Sequence, residues 1–151
     1  MRGADTGVGR SSKWRALTVL AVGTDDWAVE QAATALGLAG HRALRCHEPG
    51  EPAFPCNALI PGRSCPLDEG FDVAVTVRAR PLPQPAQSEF GVVCALRDQV
   101  PLVVAGMTAV DPFEAWATVI VEPGGEITTA CEDAAPVLDL RRGDTGKEEV
   151  E

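Results

Sequence analysis

Three short apolar runs constrain this chain more than any other feature: Ala16-Leu-Thr-Val-Leu-Ala-Val-Gly23, Phe71-Asp-Val-Ala-Val-Thr-Val77 and Pro101-Leu-Val-Val-Ala-Gly106. The first, β-branched and closed by a glycine, has the pattern of a strand covered on both faces, and the second is the clearest strand signal in the chain. Between the first two runs, Thr24-Asp25-Asp26 offers N-cap oxygens. Val29, Ala32, Ala33 and Leu36 then recur at helical spacing until Gly40 stops the pattern. His41 to Cys46 returns as a short second strand. The first third of the chain therefore forms a βαβ unit, with parallel strands and a right-handed crossover.

The remaining elements follow by the same logic. Gln87 to Asp98 places Phe90, Val93, Cys94 and Arg97 on one helical stripe, with Gly91 costing about 1 kcal/mol relative to alanine. Asp111-Pro112 opens a brief helical turn through Trp116, Thr118 to Glu122 forms a fifth strand, and Ile127, Ala130, Cys131, Ala134 and Leu138 mark a last helix. The order predicts a three-layer α/β domain. Its five-stranded, mostly parallel sheet takes the flavodoxin-like order 2-1-3-4-5, and its second crossover is largely coil. Residues 1–13 are expected to be a flexible arm, 14–138 a single domain and 139–151 a charged tail.

Composition narrows the function. The chain has 151 residues, a formal net charge of −9 and a pI near 4.7. Such a field repels nucleic-acid phosphates and anionic membranes, so neither partner is expected. Lys13 and Lys147 are the only lysines, which leaves the predicted domain without a Schiff-base or phosphate-loop lysine. G-x-G-x-x-G after the first strand and G-x-S-x-G are both absent. The start of the chain has no apolar stretch, so a cytoplasmic location is expected, and with it five cysteines that are thiols or ligands and not disulfides.

In an open parallel sheet, ligands bind beyond the carboxyl ends of the strands. That rule selects Asp25 and Asp26 after the first strand, Cys46 and His47 after the second, Arg78 and Arg80 after the third, and Thr108 after the fourth as a candidate ligand-binding rim. A second candidate lies between Cys46 and Gly70, where Cys46, His47, Cys56 and Cys65 stand among five prolines. Cys46, Cys56 and Cys65 are the thiols to consider for zinc or an iron–sulfur cluster, although no cofactor is predicted outright. Their separations of nine and eight residues are not a tight C-x-x-C clip. Parallel strands also put Cys46 at the carboxyl end and Cys65 towards the amino end, about 17 Å away, unless the loop folds back. Phe54, Leu59, Ile60 and Leu67 are available to pin this loop to the sheet, and Cys94 and Cys131, on apolar helix stripes, are expected in the core.

The stretch from Val19 to His41, with its Gly23-Thr-Asp-Asp26 turn and following helix, resembles the first strand, acidic pair and first helix of bacterial response-regulator receiver domains. In that family the acidic pair helps to hold magnesium and an aspartate ending the third strand accepts a phosphoryl group. Here that strand ends in Val77-Arg78, with Asp72 at its start; Glu122-Pro123 replace the family's lysine, and Thr108 matches its hydroxyl residue. The resemblance thus implies a receiver-like fold without phosphoryl transfer. The leading expectation is a non-catalytic module that binds a protein or small molecule at the carboxyl edge of its sheet. One alternative is a metal- or thiol-dependent protein centred on the cysteine loop. Another is an enzyme using Asp25 or Asp26 with Arg78 and Arg80 on an anionic substrate.

Overall fold

The computed structural model describes residues 16–48, 50–53, 55–80, 82, 84–106, 112–122 and 124–135. The expected arm and tail, and Phe54 and Thr108, lie outside these residues. Five strands, β1 (Thr18–Gly23), β2 (Arg42–Leu44), β3 (Val73–Arg78), β4 (Leu102–Gly106) and β5 (Val119–Val121), form one sheet in the order β2-β1-β3-β4-β5. Every ladder is parallel, with Val19 opposite Val73 and Val75 opposite Val103. The described residues also form three helices: α1 (Asp26–Leu38), α2 (Gly91–Arg97) and α3 (Ile127–Ala134). This is the three-layer, flavodoxin-like arrangement that the alternation of strand and helix patterns implies.

Side chains of a strand alternate between faces, and the apolar runs supply both faces at once. Val19, Ala21, Val73, Val75, Val77, Val103, Ala105 and Val121 pack with α1 and α3. Leu20, Val22, Ala74, Leu102 and Val104 pack with α2 and Phe113 on the other side. At roughly 1.5–3 kcal/mol for each large apolar side chain fully buried, these two layers are the main source of stability.

Helix α1 buries Ala28, Val29, Ala32 and Leu36. It ends in a Schellman motif: Gly40, at φ 94°, donates to the Gly37 carbonyl at 3.0 Å, and His41 N donates to the Leu36 carbonyl at 2.9 Å. Asp25 occupies the N-cap position with extended backbone, but its side chain makes no capping bond. Its carboxylate is engaged instead by the Thr24 hydroxyl and by Arg80, both at 3.2 Å. Gly23 is required where β1 turns into α1, because a Cβ there would collide with the Val77 carbonyl and lie 2.8 Å from Val29 Cγ2.

The second helix corrects the expected stripe. Its buried positions are Gly91, Val92 and Ala95, whereas Phe90 and Val93 are exposed and Cys94 is half-buried. The reason is Gly91, which lets the helix lie directly on the sheet: an added Cβ would sit 2.8 Å from Cys46 Sγ, 3.1 Å from Leu20 Cδ2 and 3.2 Å from Val22 Cγ1. The glycine expected to weaken the helix is the one that seats it.

Among its described residues the second crossover is coil, broken by 3₁₀ turns at Asn57–Leu59 and Pro66–Glu69. Leu67 and Phe71 pack on the α2 side of the core, as does Cys46, but Leu59 is exposed and does not pin the loop. Hydrogen bonds fold the crossover back on itself: Asn57 Nδ2 donates to the Cys46 carbonyl at 2.7 Å, and Arg63 Nη1 donates to Asn57 Oδ1 at 3.1 Å and Glu51 Oε1 at 3.2 Å.

Candidate functional site

The α1–α3 side of the sheet carries a groove at the carboxyl ends of β3, β4 and β5. Its walls are small residues. Ala28, Ala32 and Ala35 come from α1, Ala105 and Gly106 from β4, and Gly124 and Gly125 from the turn into α3. Gly106, at φ 94°, lies so close to β3 that a Cβ would collide with the Arg78 backbone, and a Cβ on Gly125 would be 2.6 Å from Val121 Cγ1. Side chains of ordinary size would fill this space; their absence leaves a groove of about 390 Å³, a volume within the small-molecule range. Trp27, 59% exposed, stands on its rim with Gln31, Glu122 and Glu126. The groove is thus apolar within, aromatic on one side and acidic at its mouth.

Of the described rim residues expected from the sequence, Arg78 borders this groove, whereas Asp26, Cys46 and His47 line a separate small hollow with Gly23 and Ser88. Asp25 and Arg80 do meet, as an ion pair at 3.2 Å, with the Arg80 side chain largely exposed. Asp26 accepts from Gly50 N at 2.9 Å, tying the start of α1 to the second crossover. Cys46 and His47 follow β2 and lie outside the groove lining; His47 is half-buried, with Nδ1 3.4 Å from the Glu48 carbonyl oxygen.

Arg78 is a correction. It is 1% exposed, and alternation along β3 sends its guanidinium to the α2 side, away from the groove. There it forms a bidentate pair with Glu89, with Nη2 to Oε1 at 2.7 Å and Nε to Oε2 at 2.9 Å. Thr76 Oγ1 also donates to Glu89 Oε2 at 2.9 Å, and Ala86 N to Oε1 at 3.0 Å. Two further guanidinium protons go to the carbonyls of Leu82 and Gln84. Burying two charges is favourable only when their hydrogen bonds are satisfied in this way. Arg78 anchors the segment between β3 and α2 and is not open to an anionic substrate. Sequence reasoning missed Glu89, whose place at the start of a predicted helix looks solvated. It also missed His41, which accepts from Leu17 N at Nδ1 (3.0 Å) and donates from Nε2 to Glu132 at 2.8 Å, joining β1 to α3.

The cysteines fall into two groups. Cys131 is buried against the α1–α3 side of the sheet, where burial, reinforced by Glu132, pushes its thiol up to about 12. Cys46 is also pushed up to about 12, first by burial and then by the charges of Cys65, Cys94 and Cys56. Hydrogen bonds of Asn57 and Arg63 draw the middle of the crossover towards Cys46. Cys94 is raised as well, chiefly by burial, with Arg97 opposing. Among the described residues, no group of three or more His, Cys, Asp or Glu side chains stands ready to hold a metal ion. Nor is any helix there long and apolar enough to cross a membrane.

Fold and groove together define a flavodoxin-like α/β domain with a cleft on the α1–α3 side of its carboxyl edge. No protein-family model, curated protein or solved structure matches the chain.

Proposed function

We propose that this receiver-like domain is a non-catalytic binding module, and that its ligand is a small molecule, or a partner's side chain, with an apolar body and a cationic end. The observation that carries the reading is the groove: small residues open about 390 Å³ at the carboxyl edge, beside an exposed tryptophan and two glutamates. A cation over the Trp27 face, its charge directed at Glu122 or Glu126, gains cation–π and Coulomb attraction together. The overall charge of −9 favours the same sign of ligand. Among the described residues that line the groove there is no cysteine, histidine, serine or threonine, which favours binding over covalent catalysis.

The test uses two probes of similar shape and opposite charge, 2-phenylethylamine and 3-phenylpropanoate, followed by tryptophan fluorescence and calorimetry. The amine is expected to bind saturably and at least about tenfold more tightly than the carboxylate, a difference of about 1.4 kcal/mol. Ala35→Phe, which places a ring in the groove from an exposed position of α1, abolishes binding. Equal binding of both probes, or full binding by Ala35→Phe, would contradict the proposal.

A further inference from the structure

Two kinds of cation suit the proposed groove, a free small molecule and the side chain of a partner protein, and the way polarity changes with depth chooses between them. The floor is a single row across three strands: Val77 of β3 is in register with Ala105 of β4, and Ala105 with Val121 of β5. Ala105 is the smallest of the three, so the row has a dent between two valines. Ala28 and Ala32, one helical turn apart on α1, wall it from above. All five residues are at most 8% exposed. The peptide groups of the row point along the sheet to neighbouring strands. The floor therefore presents methyl groups and neither donors nor acceptors.

Charge is confined to the top. Among the described residues of the lining, the charged ones are Arg78, Glu122 and Glu126. The Arg78 guanidinium is on the far side of the sheet, bonded to Glu89. Both glutamates are exposed, as are Trp27 and Gln31. An ammonium group pushed down to the floor would give up its water and meet no acceptor. Held at the rim, it keeps water on one side and has the indole and two carboxylates on the other. Lysine and arginine carry their charge at the free tip. A side chain of either, entering from a partner's surface, would lead with that charge and drive it to the floor. We infer, on the basis of the groove reading above, that the occupant is a free monoamine that enters apolar end first. Its compact alkyl or aryl body rests on the row of Val77, Ala105 and Val121, and its one ammonium stays beside Trp27, Glu122 and Glu126. Partner lysines and arginines, and polyamines charged at both ends, are turned away.

The experiment is calorimetry on the full chain at one ionic strength with three probes. Pentylamine and 1,5-diaminopentane differ only in a second ammonium at the far end, and Nα-acetyl-lysine N-methylamide stands for a partner's side chain. Attraction to a chain of net charge −9 would by itself favour the dication. Apolar-first entry instead has pentylamine binding at least about tenfold more tightly than either of the other two. The double change Glu122→Gln with Glu126→Gln, at exposed positions, weakens pentylamine severalfold. Equal or tighter binding of the diamine or of the lysine mimic would overturn the inference while leaving the groove a cation site. Pentylamine binding unchanged in the double variant would also overturn it, since the charge would then not sit at the rim. No saturable binding by any probe would remove the groove reading itself, and the inference with it.

Discussion

At the scale of single residues, Arg78 and Glu89 carry the most consequence. Both side chains are fully buried, and the pair is made whole by Thr76, Ala86 and the carbonyls of the segment between β3 and α2. Removing one charge leaves the other buried and unpaired, which typically costs 3–5 kcal/mol. Glu89→Gln, nearly the same shape, is therefore expected to destabilise the domain by about 3 kcal/mol in urea denaturation. The double change Arg78→Met with Glu89→Leu costs less than the single one, because no orphaned charge remains. A loss below about 1 kcal/mol for Glu89→Gln would show that the pair is not the anchor described. Little of this was legible beforehand: Arg78 follows a strand and Glu89 begins a helix, positions at which charged residues ordinarily face water, and only the alternation along β3 hints that Arg78 turns inward.

At the scale of elements, the strands were legible because each carries its own signal. Val19 to Val22, Val73 to Val77 and Leu102 to Ala105 are apolar enough to be covered on both faces wherever the chain places them. Helix α2 was harder to read, since which of its faces turns inward depends on a contact and not on periodicity. Gly91 touches Cys46, Leu20 and Val22 across a gap that admits no Cβ. Gly91→Ala tests this directly. Helix propensity alone favours alanine by about 1 kcal/mol, while overpacking a filled site costs roughly 1–3 kcal/mol. A net loss of about 1 kcal/mol in thermal or chemical denaturation is the expected outcome, and a gain would mean that α2 does not rest on the sheet as described. The fold-back of the second crossover was equally hidden, because it depends on bonds made by Asn57 and Arg63 rather than on the spacing of its cysteines.

At the scale of the whole molecule, the two faces of the sheet have different characters. The α2 side holds the buried ion pair, Cys46 and the apolar anchors of the coil crossover; the α1–α3 side holds the groove. A groove built from missing side chains leaves little trace in a sequence. Its signals were the alanines at positions 28, 32 and 35 on one helical face and the Gly124-Gly125 pair, all of which read equally well as close packing and a turn. The polar residues that drew attention, Asp25, Asp26 and Arg80, lie near the groove but are bonded to one another or to the crossover. The central claim is that binding occurs on the α1–α3 side alone, and an amide-resolved NMR titration of the isotope-labelled chain with 2-phenylethylamine tests it most directly. Saturable shifts are predicted at Trp27, Gln31, Gly106 and Gly124 to Ile127, with Cys46 and the α2 amides unmoved. Shifts centred on α2 and the cysteine loop, or no saturable shifts at all, would contradict it.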